Sequence, residues 1–265
     1  MANILMIAPL NAANFDSGNA EAGKVLTADG SGGAAFEAVV GGDDDWLIDA
    51  LGGGRHTPTS TATGGNAFAA GTNNEASGQR AVVGGGNSNT ASGSGATVGG
   101  GKSNTASSSS ATVGGGNSNA ASGSSATVGG GYNNTASGDY ATVGGGYSNA
   151  ASGSGATVGG GKSNTARGDY ATVGGGNSNT ASGSGATVGG GYNNTASADL
   201  SAILGGNGSN TGTFVGAMIA GSGITASLAN ALHCNKLVVT QIPVASAGLP
   251  SGTVWSDGGT LKIIP

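Results

Sequence analysis

Apolar and polar residues alternate over a short segment that recurs through most of the chain. The block Ala-Thr-Val-Gly-Gly-Gly begins at Ala96 and returns every fifteen residues through Ala186, and Ala81 opens a near copy, Ala-Val-Val-Gly-Gly-Gly. Because Ala and Val flank a Thr, a short strand would direct the two apolar side chains to one face and the Thr to the other. A fixed short period without helical spacing predicts a β-solenoid.

Each coil contains a second predicted strand, which we describe by positions 1 to 15 counted from the Ala of Ala-Thr-Val. Position 9 is Asn and position 11 is Ala in coil after coil. The two positions share a parity, so both side chains would point inward. The three Gly at positions 4 to 6 suit a corner of the backbone, since Gly adopts conformations that a β-carbon forbids.

The recurring Asn predicts an internal ladder. Identical Asn side chains about 4.8 Å apart can pass amide hydrogen bonds from coil to coil, which satisfies a polar group that is costly to bury. We interpret the column as structural and not as a ligand site. Its predicted members are Asn74, Asn89, Asn104, Asn119, Asn134, Asn149, Asn164, Asn179, Asn194 and Asn210.

The pattern changes at both ends of the repeat. Phe68 replaces Val at the front, and an extra residue enters near Leu200. After it, Ala202 with Leu204, and then Ala217 with Ile219, resume the inward pair. Larger apolar residues at the ends are typical of capping coils. We therefore expect about eleven turns and a rod of roughly 50 Å.

The residues before the repeat predict an attachment region over 1–60. Lys24–Ala28 and 34–39 flank Asp-Gly-Ser-Gly-Gly, which predicts a β-hairpin. The triplet 43–45, all Asp, followed by Trp-Leu-Ile-Asp-Ala-Leu and three Gly, predicts a short helix over 46–51, although an Asp triplet is also a candidate ligand for a divalent cation. Residues 55–65 are linker-like and contain an isolated histidine, His56.

The solenoid is predicted to occupy residues 61–227, and a β-rich tip residues 228–265. Residues 237–242 are predicted to form a strand. The segments 253–256 and 260–264 flank Asp-Gly-Gly and predict a second hairpin. His233 and Cys234 are adjacent, so on a strand they would point to opposite faces and could not act together in catalysis.

Composition narrows the classes of function. The chain has 265 residues, 58 of them Gly, but no Gly-X-Y period, which excludes collagen. Its net charge is -5 and it has no basic stripe, so we predict no binding to nucleic acid. Cys234 is the only cysteine, which excludes an intrachain disulfide and a Cys-rich metal site. We expect a chain made in a cytoplasm without a secretory signal, and no membrane insertion.

Candidate chemistry within the repeat is sparse. Asp139, Asp169 and Asp199 lie two coils, or roughly 10 Å, apart, which does not provide the paired carboxylates of a depolymerase. We therefore predict no catalytic residue, no metal site and no cofactor. Aromatic side chains at positions 7 and 15 are candidates for stacking on a host glycan, or alternatively for filling grooves between coils or chains. These are Tyr132, Tyr140, Tyr147, Tyr170 and Tyr192.

Two further features bear on function. One Thr column at position 2, from Thr97 to Thr187, makes ice binding an alternative, although flat ice-binding faces generally carry paired columns on one strand. The apolar core of each coil is only one Val and two or three Ala. Such a thin core favours side-by-side association of chains.

The residues 126–140, Ala-Thr-Val-Gly-Gly-Gly-Tyr-Asn-Asn-Thr-Ala-Ser-Gly-Asp-Tyr, resemble the YadA-like head repeats of trimeric autotransporter adhesins. The resemblance covers roughly 66–227 and implies a left-handed parallel β-roll in a homotrimer. It departs in period, fifteen against the usual fourteen, and in the Asn at position 9, where that family has its first spaced Ala.

The flanks resemble segments of bacteriophage fibre and virion structural proteins. Those segments are Gly-Lys-Val-Leu-Thr-Ala-Asp-Gly-Ser-Gly-Gly-Ala-Ala-Phe from Gly23 and Gly-Leu-Pro-Ser-Gly-Thr-Val-Trp-Ser-Asp-Gly-Gly-Thr-Leu-Lys-Ile from Gly248. Together the resemblances imply a trimeric fibre located on the virion, which contacts other virion proteins through residues 1–60 and a host-surface glycan or protein elsewhere. A fragment of a bacterial surface adhesin is the alternative.

Overall fold

The computed structural model describes residues 59–236 in full and, outside them, six strands by their backbone pairing. The chain divides into two compact units, residues 1–46 and 47–265. In the first unit, Lys24–Ala28 pairs antiparallel with Ala34–Ala38, which confirms the predicted N-terminal hairpin. In the second, Val254–Asp257 pairs antiparallel with Thr260–Ile263, which confirms the C-terminal hairpin. The predicted strand over 237–242 and the triplet 43–45 lie outside the described residues.

The second unit contains a parallel β-solenoid of about twelve coils, each close to fifteen residues long. Each regular coil supplies one two-residue strand to each of two sheets. The first sheet has fourteen strands: Leu47–Ile48, Arg55–His56, Phe68–Ala69, Val82–Val83, Thr97–Val98, Thr112–Val113, Thr127–Val128, Thr142–Val143, Thr157–Val158, Thr172–Val173, Thr187–Val188, Ala202–Ile203, Met218–Ala220 and Leu232–Cys234. The second sheet has ten: Thr61–Ala62, Glu75–Ala76, Thr90–Ala91, Thr105–Ala106, Ala120–Ala121, Thr135–Ala136, Ala150–Ala151, Thr165–Ala166, Thr180–Ala181 and Thr195–Ala196.

Register between coils follows the sequence period. Thr142 pairs with Thr157 and Val143 with Val158, so equivalent residues lie directly above one another. A third line of contact runs along position 7, where single bridges join successive coils, as between Tyr132 and Tyr147. The backbone therefore forms three parallel lines of hydrogen bonds along the stack.

The core is the thin column that the sequence predicts. Val143 at position 3, Ala141 at position 1 and Ala151 at position 11 are fully buried, and the same positions are buried throughout the regular coils. Thr142, between the first two, points outward and is half-buried. The alternation of side chains along a strand therefore predicts correctly which residues face the core and which face outward.

Two corners of each coil adopt left-handed backbone conformations. Position 8, as at Asn133 with φ 55°, and position 15, as at Ser110 with φ 55°, both have positive φ. Asn tolerates this region better than most residues, whereas a bulky side chain there is unusual. Position 15 nevertheless accepts Tyr140 and Leu200.

The front of the solenoid differs from the prediction. Phe68 pairs with Val82, at position 2, so it lies on the outer face, and Ala69 takes the inward position opposite Val83. Coils at this end are fourteen residues long, which moves Phe68 out of the core register.

The predicted helix over 46–51 is also wrong at its centre, because Leu47–Ile48 is a strand that pairs antiparallel with Arg55–His56. Pairing at the open sheet edge outweighs the local helix signals there.

The back of the solenoid also corrects the predicted register. Ile203 pairs with Val188 at the regular spacing, so there is no insertion near Leu200. Ile203 is buried, whereas Ala202 is half-buried and Leu204 is exposed. The extra residue enters later, since Ile203 pairs with Ile219. The predicted inward pair Ala217 and Ile219 is confirmed.

Candidate functional site

The Asn column is the most regular polar feature of the interior. Asn134, with no exposed surface, is representative. Its Oδ1 accepts a 2.9 Å hydrogen bond from the backbone N–H of Asn149 in the next coil. Its Nδ2 donates at 2.9 Å to the carbonyl of Gly130 in its own coil and at 2.9 Å to that of Gly146 in the next. One amide thus fastens a Gly corner to the coil that follows.

Most hydrogen bonds of the ladder join an Asn side-chain amide to the backbone, and only a few join two side-chain amides. Nine of the ten predicted residues, from Asn74 to Asn194, lie in the column. Direct contacts between side-chain amides occur where Asn89 donates to Asn74 at 3.1 Å, Asn179 to Asn164 at 3.2 Å and Asn194 to Asn179 at 3.1 Å. Within residues 59–236 no buried side-chain N or O atom lacks a partner.

The tenth predicted ladder residue, Asn210, is not in the column. Ser209 is buried in its place, and its N–H donates to Oδ1 of Asn194 at 3.0 Å. Asn210 is exposed, and its Oδ1 accepts from the N–H of Gly212 in a local turn. The error follows from the misplaced insertion, which shifted the expected register by one residue.

Gly at position 6 is required by the ladder. Gly131 has φ +91°, and a β-carbon there would overlap the carbonyl oxygen of Gly146 and approach Nδ2 of Asn134 to 2.7 Å. Both the backbone conformation and the close approach of the next coil therefore exclude a side chain.

Three tyrosines lie on the edge formed by position 7. The rings of Tyr132 and Tyr147 stack with centroids 5.1 Å apart and planes 11° apart. Nζ of Lys162, one coil further, lies 5.7 Å from the centroid of the Tyr147 ring. This edge therefore stabilises itself, with each coil covering part of the next. Tyr192 is bridged on both sides by Asn residues, Asn177 and Asn207.

The other two tyrosines lie on the edge formed by position 15. Tyr140 and Tyr170 expose 69% and 73% of their surface, compared with 47% and 49% for the stacked pair. Both adopt positive φ, at 59° and 57°. A bulky residue in this region is a conformational outlier, and such outliers often accompany function. Tyr170 lies against Gly155 of the preceding coil, where a β-carbon would come within 2.9 Å of its ring.

The Asp residues beside these tyrosines have a structural role that the sequence analysis missed. Oδ1 of Asp139 accepts from the N–H of Ser124 at 2.9 Å, and Asp169 and Asp199 do the same for Ser154 and Ser184. Each carboxylate therefore binds an exposed backbone donor of the preceding coil. The signal was present as the recurrence of Asp before a large residue every thirty residues.

Among residues 59–236, no group of three or more His, Cys, Asp or Glu could hold a metal ion. His233 and Cys234 lie on the strand Leu232–Cys234, and Nε2 of His233 is 3.1 Å from the carbonyl of Leu228. The Thr column at position 2 lies on the first sheet, whereas the Thr residues at position 10, which are interrupted by Ala120 and Ala150, lie on the second. The same range contains no apolar helix of membrane-spanning length.

Comparison with known proteins adds no assignment. No protein-family model matches the chain, and no curated protein matches its sequence.

Proposed function

We propose that this chain is the shaft of a bacteriophage virion fibre, in which three copies form a left-handed β-roll rod. Residues 1–60 attach the rod to the particle, and residues 228–265 form its free tip. The observation that carries the proposal is the uninterrupted in-register stack from Thr61 to Ile219, in which each coil completes the hydrogen bonding of the one before it. Repetition of this kind produces length and stiffness.

The thin core supports association of chains. The largest side chains in the described interior are Ile203, Ile219 and the Val column, and most of the remaining core is Ala. Little apolar surface is buried per residue in such a coil, and hydrophobic stabilisation scales with that area. Packing several rods together supplies the burial that one rod lacks.

Adhesion to the host is the second part of the proposal. Because Tyr132, Tyr147 and Lys162 cover one another, the edge at position 15 is the better candidate for contact with a host-surface glycan. Its exposed rings, on Tyr140 and Tyr170, are two coils or roughly 10 Å apart, a spacing comparable to two sugar units of an extended polysaccharide. Exposed aromatic rings stack on the apolar faces of sugars.

The location on the particle can be tested directly. Particles purified from the host that carries the gene are examined by peptide mass spectrometry and by negative-stain microscopy with gold-labelled antibody against residues 59–236. We expect peptides of the chain in the particle fraction and gold on projecting fibres. Recovery of the chain from the bacterial envelope, with none on particles, would instead favour a cell-surface adhesin.

A further inference from the structure

One face of the solenoid carries no charged residue over nine coils. We define the Thr–Gly face as the outer surface of the first sheet, formed by positions 2, 4 and 5 of the coils from Ala81 to Gly205. Six charged residues occur in this range, and all of them lie at positions 7, 12 or 14: Lys102, Asp139, Lys162, Arg167, Asp169 and Asp199. The Thr–Gly face is therefore uncharged along its length.

The same face becomes apolar in the last coils. The position 2 column, which is Val82 in the first coil and Thr from Thr97 through Thr187, continues as Ala202, Met218 and Leu232. Met218 is 44% exposed and Leu232 53% exposed, and Leu204, at position 4, is 63% exposed. Three large apolar side chains thus form one exposed patch in place of Thr and Gly.

Gly at position 5 of this face is not explained by the chain itself. Gly130 does not have positive φ, and the nearest atom to an added β-carbon is the carbonyl oxygen of Gly115 at 3.9 Å. At Gly175 and Gly190 an added β-carbon would meet nothing within 4 Å. Position 5 is nevertheless Gly in every coil from Gly85 to Gly205. A second backbone that approaches this face closely would leave no room for a side chain at position 5. Such an approach explains the recurring Gly, which the single coil does not require.

We propose that the Thr–Gly face, with its apolar end at Leu204, Met218 and Leu232, is the surface on which copies of this chain pack around a common axis parallel to the rod. This proposal rests on the homotrimer of the proposed function and assigns its interface. Cyclic symmetry brings identical residues of different copies together near the axis, so a charged face would repel itself. Charge is also depleted at the centre of protein interfaces.

The size of the face is sufficient for a stable assembly. From Val82 to Leu232 the face spans eleven strands of the first sheet. At about 4.8 Å per strand they give roughly 53 Å of length, and the four residues of positions 2 to 5 at about 3.3 Å give roughly 13 Å of width. The product, about 690 Å², lies within the roughly 600–1,000 Å² per partner of a standard interface.

Cross-linking tests the assignment without disturbing the fold. Thr142, on the Thr–Gly face, and Thr135, on the second sheet, are both half-buried, outward-facing Thr residues in the middle of the rod. Each is changed to Cys in a Cys234→Ser background and treated with a short bis-maleimide. We expect Thr142→Cys to give covalently linked chains on a denaturing gel and Thr135→Cys to remain a single chain.

The outcomes separate this proposal from the proposed function. A native mass of three chains, with cross-linking through Thr135→Cys or none through Thr142→Cys, would overturn the interface and leave the trimer intact. A native mass of one chain would overturn both, and the free Thr–Gly face would then be examined for thermal hysteresis.

A second pair of variants tests the apolar end. Met218→Lys combined with Leu232→Lys places charges on the Thr–Gly face, whereas Leu200→Lys places one on the edge at position 15, where Leu200 is 71% exposed. We expect the double variant to lose the trimer and Leu200→Lys to keep it. A double variant that keeps both its circular dichroism spectrum and its trimeric mass contradicts the proposal.

Discussion

Asn104 and Asn119, which lie one coil apart, are joined by a 2.9 Å hydrogen bond from the backbone N–H of Asn119 to Oδ1 of Asn104. The side chain of one coil therefore completes the backbone of the next. Because the same contact recurs from Asn74 to Asn194, the buried amides set the spacing and register of the stack.

Removing one ladder amide should be costly. Asn134→Ala deprives the N–H of Asn149 of its acceptor and removes the two donors to Gly130 and Gly146. We expect the free energy of unfolding to fall by about 2–4 kcal/mol, because buried polar groups lose their partners. Denaturant unfolding at fixed protein concentration measures the change. Asn117→Ala, at position 7 on the surface, is the matched control and should change it by less than about 1 kcal/mol. If both variants lost the same free energy of unfolding, the buried amides would not be the groups that stabilise the stacking of the coils.

Adjacent glycines of one corner should respond differently. Gly131→Ala introduces a side chain at positive φ and against the next coil, and should destabilise the fold by about 3 kcal/mol. Gly130→Ala meets no close atom of its own chain, so this variant should keep its far-UV circular dichroism and lose only the packing between chains at position 5. A Gly131→Ala variant that unfolds at the same denaturant concentration as the unmodified protein would contradict this account of position 6.

The stacked tyrosines should be coupled energetically. Asn occupies position 7 at Asn117 and Asn177, so Tyr132→Asn and Tyr147→Asn keep a side chain that this edge accepts. A double-mutant cycle on unfolding free energy should give a coupling of about 1 kcal/mol. Additive effects of the two changes would mean that the rings stabilise the rod independently.

The edge at position 15 should carry any glycan binding. Ser110 and Ser125 adopt the same positive φ there, so Tyr140→Ser with Tyr170→Ser should preserve the fold while removing both rings. On a glycan array we expect this variant to lose at least tenfold in binding relative to the unmodified protein. The Tyr132→Asn, Tyr147→Asn variant serves as the control and should retain binding. If only the control variant lost glycan binding, the glycan would contact the tyrosines at position 7 and not those at position 15.

Much of the solenoid could be predicted from the sequence because its period is local. The inward positions of Ala, Val and Asn follow from parity, which a two-residue strand obeys as strictly as a long one. The hairpins over Lys24–Ala38 and Val254–Ile263 follow from their Gly-containing turns.

The predictions from sequence were wrong where contacts between coils determine the register or the secondary structure. The register after Leu200 depends on whether Ile203 or Leu204 fits above Val188, and parity within one strand cannot distinguish them. Likewise, Leu47–Ile48 has a helix-like sequence context but pairs with Arg55–His56 at the sheet edge. The Asp139 contact to Ser124 also joins different coils, so a single repeat did not reveal it.

The central claim is that the rod is an assembly of three chains, and sedimentation velocity of the purified protein tests it most directly. We predict one species with three times the chain mass of 24.4 kDa and the frictional ratio of an elongated particle. A stable folded species of a single chain mass would contradict the account.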